Sequence, residues 1–209
     1  MSTDRRPYRR ETEETRREAL IEAALDLVAS GGPQGATVRA IADRAGVTPG
    51  LIRHYFATKE ELTRAAYRRF MKMLTEDSAA ALRDAGPAPA ARLAAFVAAS
   101  LCPPVVDPLR LALWAGFLNS LRGDPEMRQI HEQGYRAYRD ILEGLIAALP
   151  GTRSADQCRR DAIACNAVID GLWLEGSALP HGFAFGELQA IGLSAVSAIL
   201  NLNLKDPSA

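Results

Sequence analysis

Residues 37–62, TVRAIADRAGVTPGLIRHYFATKEEL, contain two short helical stretches around a three-residue turn, and everything else is read outward from them. The pattern predicts a helix over Thr37–Arg44 with Thr37 as N-cap, because a threonine hydroxyl can accept a backbone N–H of the first turn. Ala45-Gly46-Val47 reads as the turn, where Gly46 tolerates the positive φ that a Cβ would oppose. A second helix is predicted over Thr48–Tyr55, with Thr48 as cap and Pro49 at the favoured first position. Thr58 and Glu61 then have the spacing of a capping box, opening a longer helix with Leu62, Ala66, Phe70 and Met73 on one face.

Within this stretch Val38, Ile41, Ala42, Ala45, Val47, Leu51 and Ile52 form the inward set, and the second helix turns Thr48, Pro49, Gly50, Arg53 and His54 outward. Two short helices on a tight turn are the geometry that lays the second helix in a DNA major groove. Gly50 removes bulk where a backbone would meet DNA, and Arg53 suits either a phosphate or a guanine edge. Lys59 is placed for a phosphate contact, as are the hydroxyl and backbone N–H of Thr37. Tyr55 and Phe56 suit the core of the small domain, with the Tyr55 hydroxyl in reach of phosphate.

The charge distribution points the same way. The chain has 25 Lys/Arg and 25 Asp/Glu in 209 residues, a formal net charge of zero. Residues 1–72 nevertheless carry 14 basic against 10 acidic side chains, which leaves the remainder acidic by the same margin. A basic end on an acidic body suggests one nucleic-acid contact rather than a polyanion-binding surface throughout. Residues 1–11 hold Arg5, Arg6, Arg9 and Arg10 and read as a flexible basic arm. A helix follows over 12–30, broken by Gly31-Gly32-Pro33.

Beyond Gly86-Pro87-Ala88-Pro89, which reads as the seam, helices are expected at about 90–101, 107–121, 125–149, 155–178 and 185–203. The predicted fold is all-α with about nine helices. A helix-turn-helix domain over 12–56 leads through a connecting helix over 57–86 to a larger helical domain over 87–209. No apolar run is long enough for a membrane span and no signal peptide is legible, so a cytoplasmic protein with no membrane partner is expected. Cys102, Cys158 and Cys165 read as reduced thiols, and no metal and no cofactor is expected.

The residues Thr37, Ile41-Ala42, Ala45-Gly46-Val47-Thr48, Gly50, His54-Tyr55-Phe56, Lys59 and Leu62 closely resemble the DNA-binding domain of TetR-family regulators, in register over about 12–65. Many members carry tyrosine where this chain has Arg53, so base preferences of relatives do not transfer to it. The resemblance implies a homodimeric repressor on a palindromic operator in double-stranded DNA, released by a small-molecule effector. It also implies that the larger domain binds that effector and makes the dimer. Ile169-Asp170-Gly171-Leu172-Trp173-Leu174 further resembles the sensor end of BetI-type members, which control synthesis of glycine betaine from choline. A cationic effector of that kind calls for aromatic faces, for which Trp114, Phe117, Tyr135, Tyr138 and Trp173 are candidates; a pocket of Trp114, Phe117 and Trp173 is the specific expectation. Cys165, Val168, Ile169, Leu172, Leu188, Ile191, Val196 and Ile199, on the last two helices, are the candidate dimer interface in a four-helix bundle.

An enzyme is a poor reading. Gly31–Gly35 lacks the Lys-Ser/Thr and preceding strand of a phosphate loop, and no G-x-S-x-G or H-E-x-x-H occurs. A helical adaptor binding only protein would account for the apolar C-terminal helices but leaves Thr37–Leu62 without a reason.

Overall fold

The computed structural model describes residues 6–204, with side chains from Glu13 onward. Among these residues the secondary structure is helical throughout: α1 (Arg6–Gly35), α2 (Val38–Arg44), α3 (Pro49–Tyr55), α4 (Lys59–Ala80), α5 (Pro89–Ser100), α6 (Pro108–Leu118), α7 (Pro125–Ala147), α8 (Ala155–Ala178) and α9 (Glu187–Leu200). Short 3₁₀ turns follow α4 and α6. No described helix is long and apolar enough to cross a membrane.

Helix α1 starts earlier than expected. Residues 6–11 extend it rather than forming an arm, which suits a stretch where Pro7 falls in the first turn and Arg and Glu are good helix formers. Arg5, and the side chains of Arg6, Arg9 and Arg10, lie outside the described residues. The break at Gly32 is real (φ 68°, ψ 177°), and one helical turn resumes after it.

The chain gathers into two compact units that are not sequential halves. One comprises the described part of Met1–Phe70 with Ala112–Ile130, and the other Met71–Leu111 with His131 onward. In the first unit Leu20, Ile21, Leu25 and Val28 of α1 are at most 4% exposed, as their helical spacing predicted. Most of α6 belongs here because Gly116 lets it approach α1: a Cβ on Gly116 would stand 3.1 Å from Val28 Cγ1. Phe117 then stacks 4.8 Å from Tyr67, with Phe70 at 6.4 Å, and all three rings are fully buried.

The second unit is built on a continuous apolar core from α5, the second half of α7, α8 and α9, including Leu93, Phe96, Val97, Leu142, Ile146, Ala162, Ile169 and Val196. Ser154 caps α8 by accepting the Gln157 N–H at 3.2 Å. Arg153 reinforces the same end, lying 3.7 Å from Asp161 and donating to the Leu200 carbonyl at 2.9 Å.

Candidate functional site

The helix pair α2–α3 is set by local hydrogen bonds. Thr37 Oγ1 accepts the Ala40 N–H at 3.1 Å, as a capping residue should. Gly46 has φ 66°, and across it Val47 N–H reaches the Ala42 carbonyl at 2.9 Å while Gly46 N–H reaches Asp43 at 3.3 Å. That pair of bonds is the Schellman closure of α2, and it aims the chain into α3. Thr48 differs from the expectation: it occupies the N-cap position, but its side chain makes no capping bond, and the Leu51 N–H reaches the Thr48 backbone carbonyl at 3.0 Å instead.

Ile41, Ala42, Ile52 and Phe56 are buried, while Val38, Ala45, Val47 and Leu51 are half-buried. Thr37, Thr48, Pro49, Gly50, Arg53 and His54 are all exposed, and Lys59 and Tyr55 are half-buried. His54 meets Tyr55 edge-on at 5.0 Å. One contributor was not legible from spacing: the Arg17 guanidinium of α1 lies 4.9 Å over the Phe56 ring and covers the joint after α3. The Thr58 cap forms as predicted, with Glu61 N–H donating to Thr58 Oγ1 at 3.1 Å, while the Glu61 carboxylate reaches one residue further back and accepts the Ala57 N–H at 2.8 Å. This surface offers exposed hydroxyl, guanidinium and imidazole groups on a short rigid helix, with an ammonium at the start of the next.

In the second unit the notable chemistry faces inward. Asp170 of α8 is half-buried, held by the Asn166 amide at 2.8 Å and by the Tyr135 hydroxyl. Burial pushes its carboxyl up to about 6, against the pull of those two neutral donors. Burial also pushes the Tyr135 hydroxyl up to about 12, with the Asp170 charge adding to it. Tyr138, one turn along α7, is raised chiefly by burial, and its hydroxyl shares a 2.7 Å bond with Ser100 of α5. Trp173, one turn beyond Asp170, donates its indole N–H to the Val105 carbonyl at 2.8 Å. Tyr135 thus joins a carboxylate that aromatic spacing alone did not single out, although Asp170 stands within the quoted Ile169–Leu174 stretch.

Two expectations are corrected. Phe117 is core of the first unit, its ring wholly covered by Tyr67 and Phe70, so it has no face to offer a ligand; Trp114 is half-buried on the same helix. In the proposed interface Cys165, Ile169, Leu188 and Val196 are at most 8% exposed within their own chain and belong to the core of the second unit. A side chain already covered by its own fold cannot be the surface a second copy covers. Val168, Leu172 and Ile199 are half-buried, and only Ile191 is fully presented, at 41% exposure. The outer face of α8 is instead Arg160, Ile163, Ala164, Ala167, Gly171, Leu174 and Glu175, all exposed. Cys158 and Cys165 are buried free thiols and Cys102 is half-buried.

Comparison with known proteins bears on both units. A family model described as bacterial regulatory proteins, tetR family, matches residues 20–66, and one described as BetI-type transcriptional repressor, C-terminal, matches residues 89–201. The HTH-type transcriptional regulator BetI of Serratia proteamaculans is 35% identical over 181 residues, covering 86% of this chain and 88% of the relative. A solved transcriptional regulator from Pseudomonas aeruginosa PAO1 superposes with a TM-score of 0.78 at 29% identity, over 90% of this chain and 92% of that one. A regulator from Saccharomonospora viridis, solved in complex with choline, shares the fold with a TM-score of 0.72 at 18% identity, over 88% and 96% of the two chains.

Proposed function

Because the chain belongs to the TetR family of transcriptional regulators, with a C-terminal domain of BetI type, we propose that it is a homodimeric repressor, released from a palindromic operator by a small organic cation. The family consists of DNA-binding regulators rather than enzymes, and the exposed set on α3 is the reading surface. Thr37, Thr48, Pro49, Gly50, Arg53, His54, Tyr55 and Lys59 are the residues assigned to DNA, with Lys59 and Thr37 on phosphate. The site of action is the cytoplasm, where the DNA of a bacterial regulator lies.

The observation that carries the effector assignment is Asp170. A carboxylate in an apolar bundle, hydrogen-bonded by neutral groups, lacks the counter-charge that would offset its desolvation. An organic cation supplies that charge, and the aromatic rings of Tyr135 and Trp173 supply faces suited to an alkylammonium group. The relative solved with choline is consistent with this chemistry. The dimer is supported by the outer face of α8. Its centre is small (Ala164, Ala167, Gly171), and Ile163 and Leu174 flank it at 40% and 45% exposure. Arg160 lies toward one end and Glu175 toward the other, so an antiparallel two-fold pairing sets each Arg160 beside the other copy's Glu175. Sedimentation of the purified protein as a monomer would remove the dimer.

Titration calorimetry with choline tests the effector: saturable heat, and loss of a gel-shifted operator band at the same concentrations, is the expected result. An operator complex indifferent to choline and to betaine aldehyde defeats the cation assignment while leaving the regulator reading intact. Ligand binding shifts the DNA equilibrium only if the cation prefers the conformation unsuited to the operator.

A further inference from the structure

We propose that Arg64, Asp124 and Glu126 form a positioning clasp that fixes the first turns of α4, and through them the recognition helix α3, for operator binding. The inference rests on the DNA-binding reading of α3 but concerns residues that do not belong to the reading surface. All three lie in the first unit.

Asp124 does two jobs at once. One carboxylate oxygen accepts the N–H groups of Glu126 and Met127, at 2.9 and 3.2 Å, and so caps α7. The other accepts Arg64 Nε at 2.8 Å, and Arg64 Nη1 stands 3.1 Å from Glu126 Oε1. Arg64 therefore grips the start of α7 with two edges of its guanidinium, a geometry lysine cannot reproduce. The pair is sheltered, with 26% and 20% of the two side chains exposed, and Met127 and Ile130 are buried in the turn that follows. The hydrogen bond from Arg64 holds the Asp124 carboxyl below the usual carboxylate range.

The path from Arg64 to α3 has little slack. Only Phe56, Ala57 and Thr58 separate α3 from α4, and each is held. Phe56 N–H bonds the Ile52 carbonyl at 2.9 Å and its ring is buried; Ala57 and Thr58 are both engaged by Glu61. A rotation of the first turns of α4 must therefore carry α3 with it. The clasp stands five residues past Lys59 on that helix and sets the rotation. Helix α7, whose later turns carry Tyr135 and Tyr138, is what it is anchored to.

Electrostatics alone predicts the opposite sign at one of these residues, which makes the proposal testable. Removing a negative charge from a DNA-binding unit ordinarily strengthens binding. Asn caps a helix as well as Asp does, so Asp124→Asn breaks the clasp while keeping the α7 cap. The experiment first selects an operator from random-sequence duplexes with the wild-type protein. It then measures affinity against salt for Arg64→Met, Asp124→Asn and the double variant, each checked for folding by circular dichroism. The expected result is a loss of about tenfold for each single variant and no further loss in the double, as for two members of one charge-assisted contact. The dependence of log affinity on log salt stays as in the wild type. Tighter or unchanged binding by Asp124→Asn overturns the clasp, and so does a salt slope shallower by about one in Arg64→Met, the mark of a direct phosphate contact. A wild-type protein that enriches no duplex removes the DNA-binding reading and the clasp with it.

Discussion

The two units put their polar chemistry on opposite sides of the backbone. In the first, Thr37, Thr48, Arg53 and His54 point to solvent from helices whose other face is buried, so function and packing are divided around each helix. In the second, Ser100, Tyr135, Tyr138, Asn166 and Asp170 turn inward among the apolar side chains of the bundle. A macromolecular partner such as DNA must be met by an exposed rigid surface, whereas a small molecule is recognised by enclosing it. The consequence is thermodynamic as well as geometric. Exposed cations cost the first unit little, but a half-buried carboxylate held by neutral donors costs the second unit stability when ionised.

The strongest test of this division is Phe117→Ala. With the ring packed between Tyr67 and Phe70, its removal should cost about 3–5 kcal/mol and lower the melting temperature of the whole chain. A variant that melts normally but loses cation affinity would return Phe117 to a ligand site and blur the boundary between the units. Next in size is Arg53→Ala, expected to weaken operator binding by about 1–3 kcal/mol, with relaxed preference at one base pair if it reads a guanine edge. Lys59→Ala should weaken all duplexes about equally and flatten the salt dependence by about one. Equal affinity of both variants and the wild type, measured by fluorescence anisotropy, would shift the reading surface away from α3.

The smallest stability effect tests the second unit. The Asp170 carboxyl lies at about 6 in the folded chain, above its ordinary value of 3.8. A carboxyl raised on folding binds its proton more tightly in the folded state, so ionisation costs stability as pH rises through that window. Asp170→Asn should therefore gain on the order of 1 kcal/mol at neutral pH, discounted for its partial exposure, while losing most of its affinity for choline. In the wild type, affinity for choline should fall about tenfold between about pH 7.5 and pH 5 as the carboxylate is protonated. An affinity flat across that range, or an Asn variant that is less stable, would mean that Asp170 is a structural hydrogen-bonding group.

Most of the fold was legible because helix boundaries here are written in local chemistry. Thr37, Gly46 and Thr58–Glu61 each cap or turn the chain through bonds three to five positions long, and Pro49 starts α3 through its ring. The exposed set on α3 followed from the same periodicity. Burial on the last two helices did not. Cys165 and Ile169 look as suitable for a dimer as Ile163 and Leu174 do, because α8 is apolar on more than one side and its polar residues fall both inward (Asp161, Asp170) and outward (Arg160, Glu175), so they do not mark which side its own chain has covered.

What the sequence determined by itself is the helical architecture, the helix-turn-helix and its outward side chains, since caps and 3.6-residue periodicity act over a few positions. What only the tertiary structure decided is which distant residues meet. Phe117 joins Tyr67 in the first unit, Tyr135 joins Asp170 in the second, and Arg64 finds Asp124 sixty residues away. These pairings depend on how helices far apart in the chain are brought together to bury apolar surface, and no local spacing records that outcome.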